Sequence, residues 1–110
     1  MVTKLILVFI LHYLGDFIFQ TRWMGENKSK NIVALLLHIV VYTAFLLPFG
    51  FVFTVANGIL HLITDFITSR LSSRAYQNKN MAQFWAIIGA DQLIHTITLL
   101  LTLQYFLGFI

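Results

Sequence analysis

The chain has 110 residues, of which 59% are hydrophobic and only 10% charged, with a mean hydropathy of +0.85; an ordinary soluble domain carries roughly 25% charged residues. A water-soluble domain of this size leaves about 40% of its unfolded chain's surface in water, so the composition excludes that class and points to an all-α integral membrane protein covered by a lipid bilayer. Cysteine is absent, which rules out disulfides and thiolate ligands, and the net charge of +3 is too small to suggest a nucleic-acid partner.

Four apolar stretches succeed one another at about 2–20, 31–47, 51–69 and 82–108, each close to the ~20 residues that cross a bilayer core as a helix. The first carries one basic residue near its start, no small-residue cleavage site and an aspartate inside the apolar run, so it is expected to stay in place as a span and not to act as a cleaved signal peptide. The connection TRWMGENKSK at 21–30 is polar and basic. LPFG at 47–50 reads as a tight turn broken by Pro48 and Gly50. RLSSRAYQNKN at 70–80 is again polar and basic.

Short loops rich in Lys and Arg stay in the cytosol. Arg22, Lys28 and Lys30 lie in the first connection, Arg70, Arg74 and Lys79 in the third, and only Lys4 lies at the opposite end, so both termini are expected outside (N-out/C-out). Trp23 and Trp85 fall at the cytosolic ends of spans one and four, where interfacial aromatics belong. The expected fold is a single domain over 1–110, a four-transmembrane-helix bundle.

The first and third spans share a pattern. ILHYLGDFI at 10–18 matches ILHLITDFI at 59–67 at Ile10, Leu11, His12, Asp16, Phe17 and Ile18, and LLH at 36–38 echoes LIH at 93–95. Spans one and three run the same way, which predicts two helical hairpins related as a parallel internal repeat about an axis along the membrane normal.

All four histidines (His12, His38, His61, His95) and three of the four acidic residues (Asp16, Asp65, Asp91) lie inside the expected spans. An aspartate at a helix centre costs about 2.5 to 3.5 kcal/mol on the insertion scale, so three of them require compensation. His12 with Asp16, His61 with Asp65, and Asp91 with His95 are each four apart and share a helix face. Gln20 and Asn57 extend two of those stripes by a turn, as hydrogen-bonding support for the site. At ~1.5 Å per residue all seven groups fall within ~15 Å of height in the cytosolic half of the bilayer, so they can converge.

Four imidazoles and three carboxylates without sulfur form a ligand set suited to a divalent metal, zinc first, with iron(II) or manganese compatible. Two divalent ions and a bridging hydroxide would balance three aspartates. One ion, with the remaining groups orienting its ligands, is the simpler alternative. Metal-free His–Asp pairs that only hold helices together, at around 0.6 kcal/mol each, are the bland reading of any single pair. Gly15 and Gly89 are expected to permit close helix approach, and the threonines of the fourth span to bond back to their own helix.

At HYLGDFIFQ, RWM, ENKSK, His38, HLITD and DQLIH the chain resembles an uncharacterised bacterial membrane-protein family, domain of unknown function 3307. Its most specific stretches here are H-x-x-G-D-x-x-x-Q at His12, Gly15, Asp16 and Gln20 and D-Q-x-x-H at Asp91, Gln92 and His95, which adds Gln92 to the supporting residues. The resemblance implies a multi-pass protein of the bacterial inner (cytoplasmic) membrane and no particular activity. The pattern is also loosely similar to the alkaline ceramidase and adiponectin-receptor group, which holds zinc with His and Asp from several helices but has seven spans and other spacings.

Three functions compete. In a metal-dependent hydrolase of a lipid or amphipathic substrate, His12, His38, His61, Asp65 and His95 bind metal, Asp16 or Asp91 bridges metals or serves as general base, and Arg22 and Arg70 steer an anionic head group. The lack of a G-x-S-x-G motif leaves water as nucleophile. A divalent-cation or proton transporter also places His and Asp inside a membrane, but four short helices would then need a homodimer. A small structural or regulatory subunit would use the polar core, with or without zinc, only to fix its packing.

Overall fold

The computed structural model describes residues 2–108, and every regular element among them is helical. Helix α1 (Val2–Tyr13) passes into a π-helical turn, Leu14–Ile18. A short α2 (Arg22–Asn27) precedes α3 (Ile32–Leu46), which ends in a 3-10 turn, Leu47–Phe49. Helices α4 (Phe51–Gln77) and α5 (Met81–Thr102) complete the chain, α5 closing in a second π turn, Leu103–Leu107. Three segments, Ile32–Phe49, Phe51–Gln77 and Met81–Leu107, are long and apolar enough to cross a membrane. The first helix is shorter, with 12 α-helical residues and 5 in the π turn. The molecule measures 43 × 26 × 20 Å, its long axis close to the ~40 to 45 Å of a bilayer with its head groups.

Local chemistry places the ends. Thr21 caps α2 by accepting from the Met24 N–H at 3.2 Å, Asn31 caps α3 through Val33 at 2.9 Å, and Asn80 caps α5 through Gln83 at 3.1 Å. Gly50, at φ 110°, makes the reversal after Pro48 that an L side chain would resist. Both polar connections prove partly helical. The first contains α2, and α4 runs eight residues past position 69, leaving only residues 78–80 between α4 and α5. RLSSRAYQ has no glycine or proline; its loss of apolarity marks the limit of an oily surface, while the helix ends only where Lys79 turns left-handed (φ 58°). There the Asn80 N–H reaches the Ala75 carbonyl and the Lys79 N–H that of Tyr76, a Schellman stop.

The bundle is polar inside and apolar outside. The buried face of α4 reads Thr54, Asn57, Gly58, His61, Asp65, Ser69, Ser72 and Ala75, at helical spacing. Ile10, Val40, Ile59, Ile63, Leu93 and Leu101 face outward at 50 to 64% exposure. No watery surroundings would favour that arrangement, since each fully exposed Leu or Ile forgoes about 1.5 to 3 kcal/mol of burial. Along the long axis the core has two tiers. At one end Val8, Tyr42, Leu46, Phe53, Leu99 and Leu103 pack into a solid apolar cluster. Because those residues come from the middle of α1, the end of α3, the start of α4 and the far end of α5 with its π turn, α3, α4 and α5 alternate in direction. The second tier holds the seven ionisable groups.

Glycine sets two of the helix approaches. A Cβ on Gly15 would lie 3.1 Å from the Tyr42 Cα, as expected for close contact of the first helix with α3. One on Gly58 would lie 2.7 Å from the Thr43 Cγ2, a close approach of α4 to α3 that the sequence leaves unremarked, whereas Gly89 has open space around it and serves no such contact. The threonines of α5 do bond back: Thr96, Thr98 and Thr102 donate to the carbonyls of Gln92, His95 and Thr98 at 2.7 to 3.0 Å.

Substituting Gly58→Ala should therefore lower the thermal midpoint of the detergent-solubilised protein by the equivalent of about 1 to 3 kcal/mol, an overpacking cost. Gly89→Ala should leave it unchanged or raise it by up to ~1 kcal/mol, through helix propensity alone. Thermal unfolding of the two variants side by side checks both.

Candidate metal centre

The site is assembled from all four long helical segments. Asp16 sits in the π turn, where the Phe19 N–H bonds the Leu14 carbonyl at 2.9 Å, five residues back. A π turn is wider than an α turn and shifts the register of the residues beyond it. His12 and Asp16 are consequently only loosely paired, at 4.0 Å, and Gln20 lies beyond the turn, lining the same cavity as Asp16 without a hydrogen bond to it. His61 and Asp65 stay in register on α4. His38 comes from the middle of α3, and Asp91 and His95 from α5. All seven side chains are buried, none more than 7% exposed.

At the centre, His38 Nε2 lies 3.1 Å from His61 Nε2, 3.2 Å from Asp16 Oδ1 and 3.1 Å from Asp65 Oδ2. His61 Nε2 lies 3.4 Å from that Asp16 oxygen and 3.3 Å from that Asp65 oxygen. One imidazole nitrogen offers either one hydrogen or one lone pair, so three such approaches to each Nε2 exceed what hydrogen bonding can satisfy. Ligands ~2.0 to 2.1 Å from a tetrahedral zinc stand roughly 3.3 to 3.4 Å from each other. Five of the six separations among these four atoms fall at 3.1 to 3.4 Å. The donor set and its spacing thus fit a divalent cation.

A second group adjoins it. His95 Nε2 is 3.2 Å from Asp65 Oδ1 and 3.2 Å from Asp91 Oδ1, and Asp16, Asp91 and His95 bring ligand atoms within 4.8 Å of one another. Asp16 and Asp65 each turn one oxygen to the central group. The other Asp65 oxygen meets His95, and the other Asp16 oxygen accepts from Gln92 Nε2 at 2.8 Å. Both carboxylates are therefore placed to bridge.

The rings are held from the sides. His61 is stacked between Tyr42, at 4.0 Å, and His95, at 3.9 Å and 9°. Its Nδ1 and that of His38 are buried without a partner, so their tautomers are set only by what lies before Nε2, unlike the usual ligand histidine with its far nitrogen tied.

Other expected residues stand elsewhere. His12 lies beside both groups, its Nδ1 2.9 Å from the Tyr42 hydroxyl and its Nε2 3.2 Å from Gln92 Oε1. Gln92 is the true supporting residue, since it also donates to Asp91 at 3.1 Å. Asn57 bonds Thr102 Oγ1 at 2.8 Å and the Phe53 carbonyl, away from the cluster, and Gln20 Oε1 has no partner. Arg22 pairs with Glu26 on the surface at 2.8 Å, and Arg70 lies over the Phe66 ring and donates to the Phe66 carbonyl. Neither arginine reaches the site.

The cation that does reach it is Lys28, whose Nζ lies 3.1 Å from Asp65 Oδ2. Read from the sequence, Lys28 is one more topology-setting charge; only the turn after α2 carries it inward. Tyr42 and Thr68, whose hydroxyl donates to Asp91 Oδ1 at 2.5 Å, are likewise invisible to a search for ionisable pairs. With histidines neutral, three carboxylates and one ammonium leave two negative charges, the amount that one divalent ion cancels in a medium that penalises net charge.

Above the cluster a cavity of about 540 Å³ opens between α2, α4 and α5, with Asp16, Asp91 and Gln92 in its wall. Membrane-length helices wrapped around a buried His/Asp cluster capable of holding metal define the class of protein. The chain matches the family described as Protein of unknown function (DUF3307) over residues 4–109 and belongs to it. No curated protein and no solved structure matches the chain.

Lys28→Met should destabilise the metal-free protein by about 1 to 3 kcal/mol, because it leaves the Asp65 charge with one cation fewer. Zinc at 100 times its dissociation constant should restore about 2.7 kcal/mol. Thermal unfolding with chelator and with zinc checks this.

Proposed function

We propose that the protein is a metal-dependent hydrolase of the bacterial cytoplasmic membrane, acting on a lipid or other amphipathic molecule near the cytosolic leaflet. The observation that carries the reading is the convergence of His38, His61, Asp16 and Asp65 at metal-ligand spacing, below a cavity open toward the basic loops. A divalent ion held there, zinc by preference, supplies Lewis acidity and brings the pKa of a bound water toward ~7. His95 and Asp91 border the place for a second ion. Asp91 faces the cavity and is steadied by Thr68 and Gln92, which suits it to accept a proton from attacking water. Asp16 and Asp65 share the ligand role.

The same reading takes α1 with its π turn as a fourth span and both termini as outside. Six of seven basic residues lie at or near the cavity end, with Lys4 alone at the other. Trp23 and Trp85 are exposed there, at 46 and 64%, as interfacial aromatics are. The matched aspartates of the proposed repeat, Asp16 and Asp65, share the approach of His38 and His61, whereas His12, the counterpart of His61, bonds Tyr42 and Gln92 instead.

Transport is the weaker alternative. The apolar cluster of Val8, Leu46, Phe53, Leu99 and Leu103, each at most 1% exposed, lies between the ionisable groups and the opposite end; the polar groups at that level, Thr54, Asn57 and Thr102, bond each other or backbone carbonyls and offer an ion no ionisable step.

Elemental analysis of detergent-purified protein should find about one divalent ion per chain; less than ~0.2 would overturn a tightly held centre. Turnover of a lipid ester should vanish with chelator and with Asp65→Asn. Zinc or manganese flux into proteoliposomes that disappears with His61→Ala would instead establish transport.

A further inference from the structure

We infer that the cavity above the cluster is a subsite for a phosphoryl group carried by an amphipathic substrate. The inference rests on the proposed reading of the site, because it names the chemical class that site would act on. The lining of the cavity has two characters. Lys28, Ser29, Ser69, Ser72 and Ser73 make part of it polar, and Phe17, Phe84 and Ile88 make part of it apolar.

The polar part has an unmet demand. Ser69 is 7% exposed, yet its Oγ has no hydrogen-bond partner, an unfavourable state for a buried polar group. Ser72, by contrast, donates to the Ser69 carbonyl at 3.1 Å. Ser69 also lines a chamber of about 30 Å³ that it shares with Lys28, Asp65, Thr68 and Asp91, so the residue borders both the open cavity and the carboxylates. A tetrahedral oxyanion bonds several donors at once, and an ammonium with several hydroxyls suits three or four oxygens better than the single oxygen of a neutral carbonyl.

The carboxylates in the cavity wall do not exclude an anion. Asp16 is bonded by Gln92 and approached by His38 and His61, Asp91 is bonded by Thr68 and Gln92, and Glu26 is paired with Arg22. With an ion on the central group the buried charge is neutral, so the phosphoryl anion should bind better to loaded protein. The apolar part of the lining then takes the first carbons of an acyl or prenyl chain.

The test uses the full chain in neutral detergent, with zinc and with chelator. Binding is measured by calorimetry for short-chain phosphatidic acid, short-chain diacylglycerol and inorganic phosphate, and metal content is read on the same samples. Phosphatidic acid should bind at least tenfold tighter than diacylglycerol, and tighter with zinc than with chelator. Ser69→Ala, a change too small to disturb folding, should weaken phosphatidic acid about tenfold without changing metal content. Inorganic phosphate binding as tightly as phosphatidic acid would support the subsite and identify a soluble source. Equal binding of phosphatidic acid and diacylglycerol, or an unchanged affinity in Ser69→Ala, would overturn the inference. A protein that takes up no zinc when zinc is supplied, yet still prefers phosphatidic acid, would remove the hydrolase reading and leave the subsite standing.

Discussion

The structure depends on one constraint, that three carboxylates lie inside a shell of hydrocarbon and must be neutralised there. The ionisable interior is arranged around Asp16, Asp65 and Asp91: four imidazoles and one lysine, with one glutamine and one threonine bonded to the carboxylates. An uncompensated aspartate would outweigh several packing contacts, because the desolvation of a charge costs several kcal/mol even after relaxation. The helices are thus drawn together by their polar faces, while the apolar faces that would form the core of a soluble protein look outward.

That inversion explains why the helices pack with so few large apolar residues between them at the level of the cluster. The filling there is imidazole, stacked ring on ring, with Tyr42 and His95 enclosing His61. Rings locked in this way cannot swing to relieve the crowding of Nε2 atoms and carboxylate oxygens, so the convergence is built into the packing. The apolar tier below, from Val8 to Leu103, supplies the rigid base on which the cluster stands.

Much of this was legible in the sequence. The helical class, the apolar segments and the turn at Pro48 and Gly50 come from composition and punctuation, and the i, i+4 pairs with a depth argument were enough to gather the ionisable side chains in one tier. What could not be read depends on local departures from ideal geometry. The π turn at Leu14–Ile18 loosens the His12–Asp16 pair to 4.0 Å, and α-helical spacing gives no warning of it. Lys28 enters the site because α2 folds the first connection back over the cluster, a tertiary event hidden behind an ordinary loop charge. Gly58 and Gly89 look alike in the sequence, and only the neighbour's position separates a contact from empty space.

The solid apolar tier has a consequence for traffic. A well with a sealed floor has a single mouth, so whatever comes down to the carboxylates must leave by the same way it arrived. Incoming and outgoing species would then share one passage, so exchange at the carboxylates is governed by access from that end.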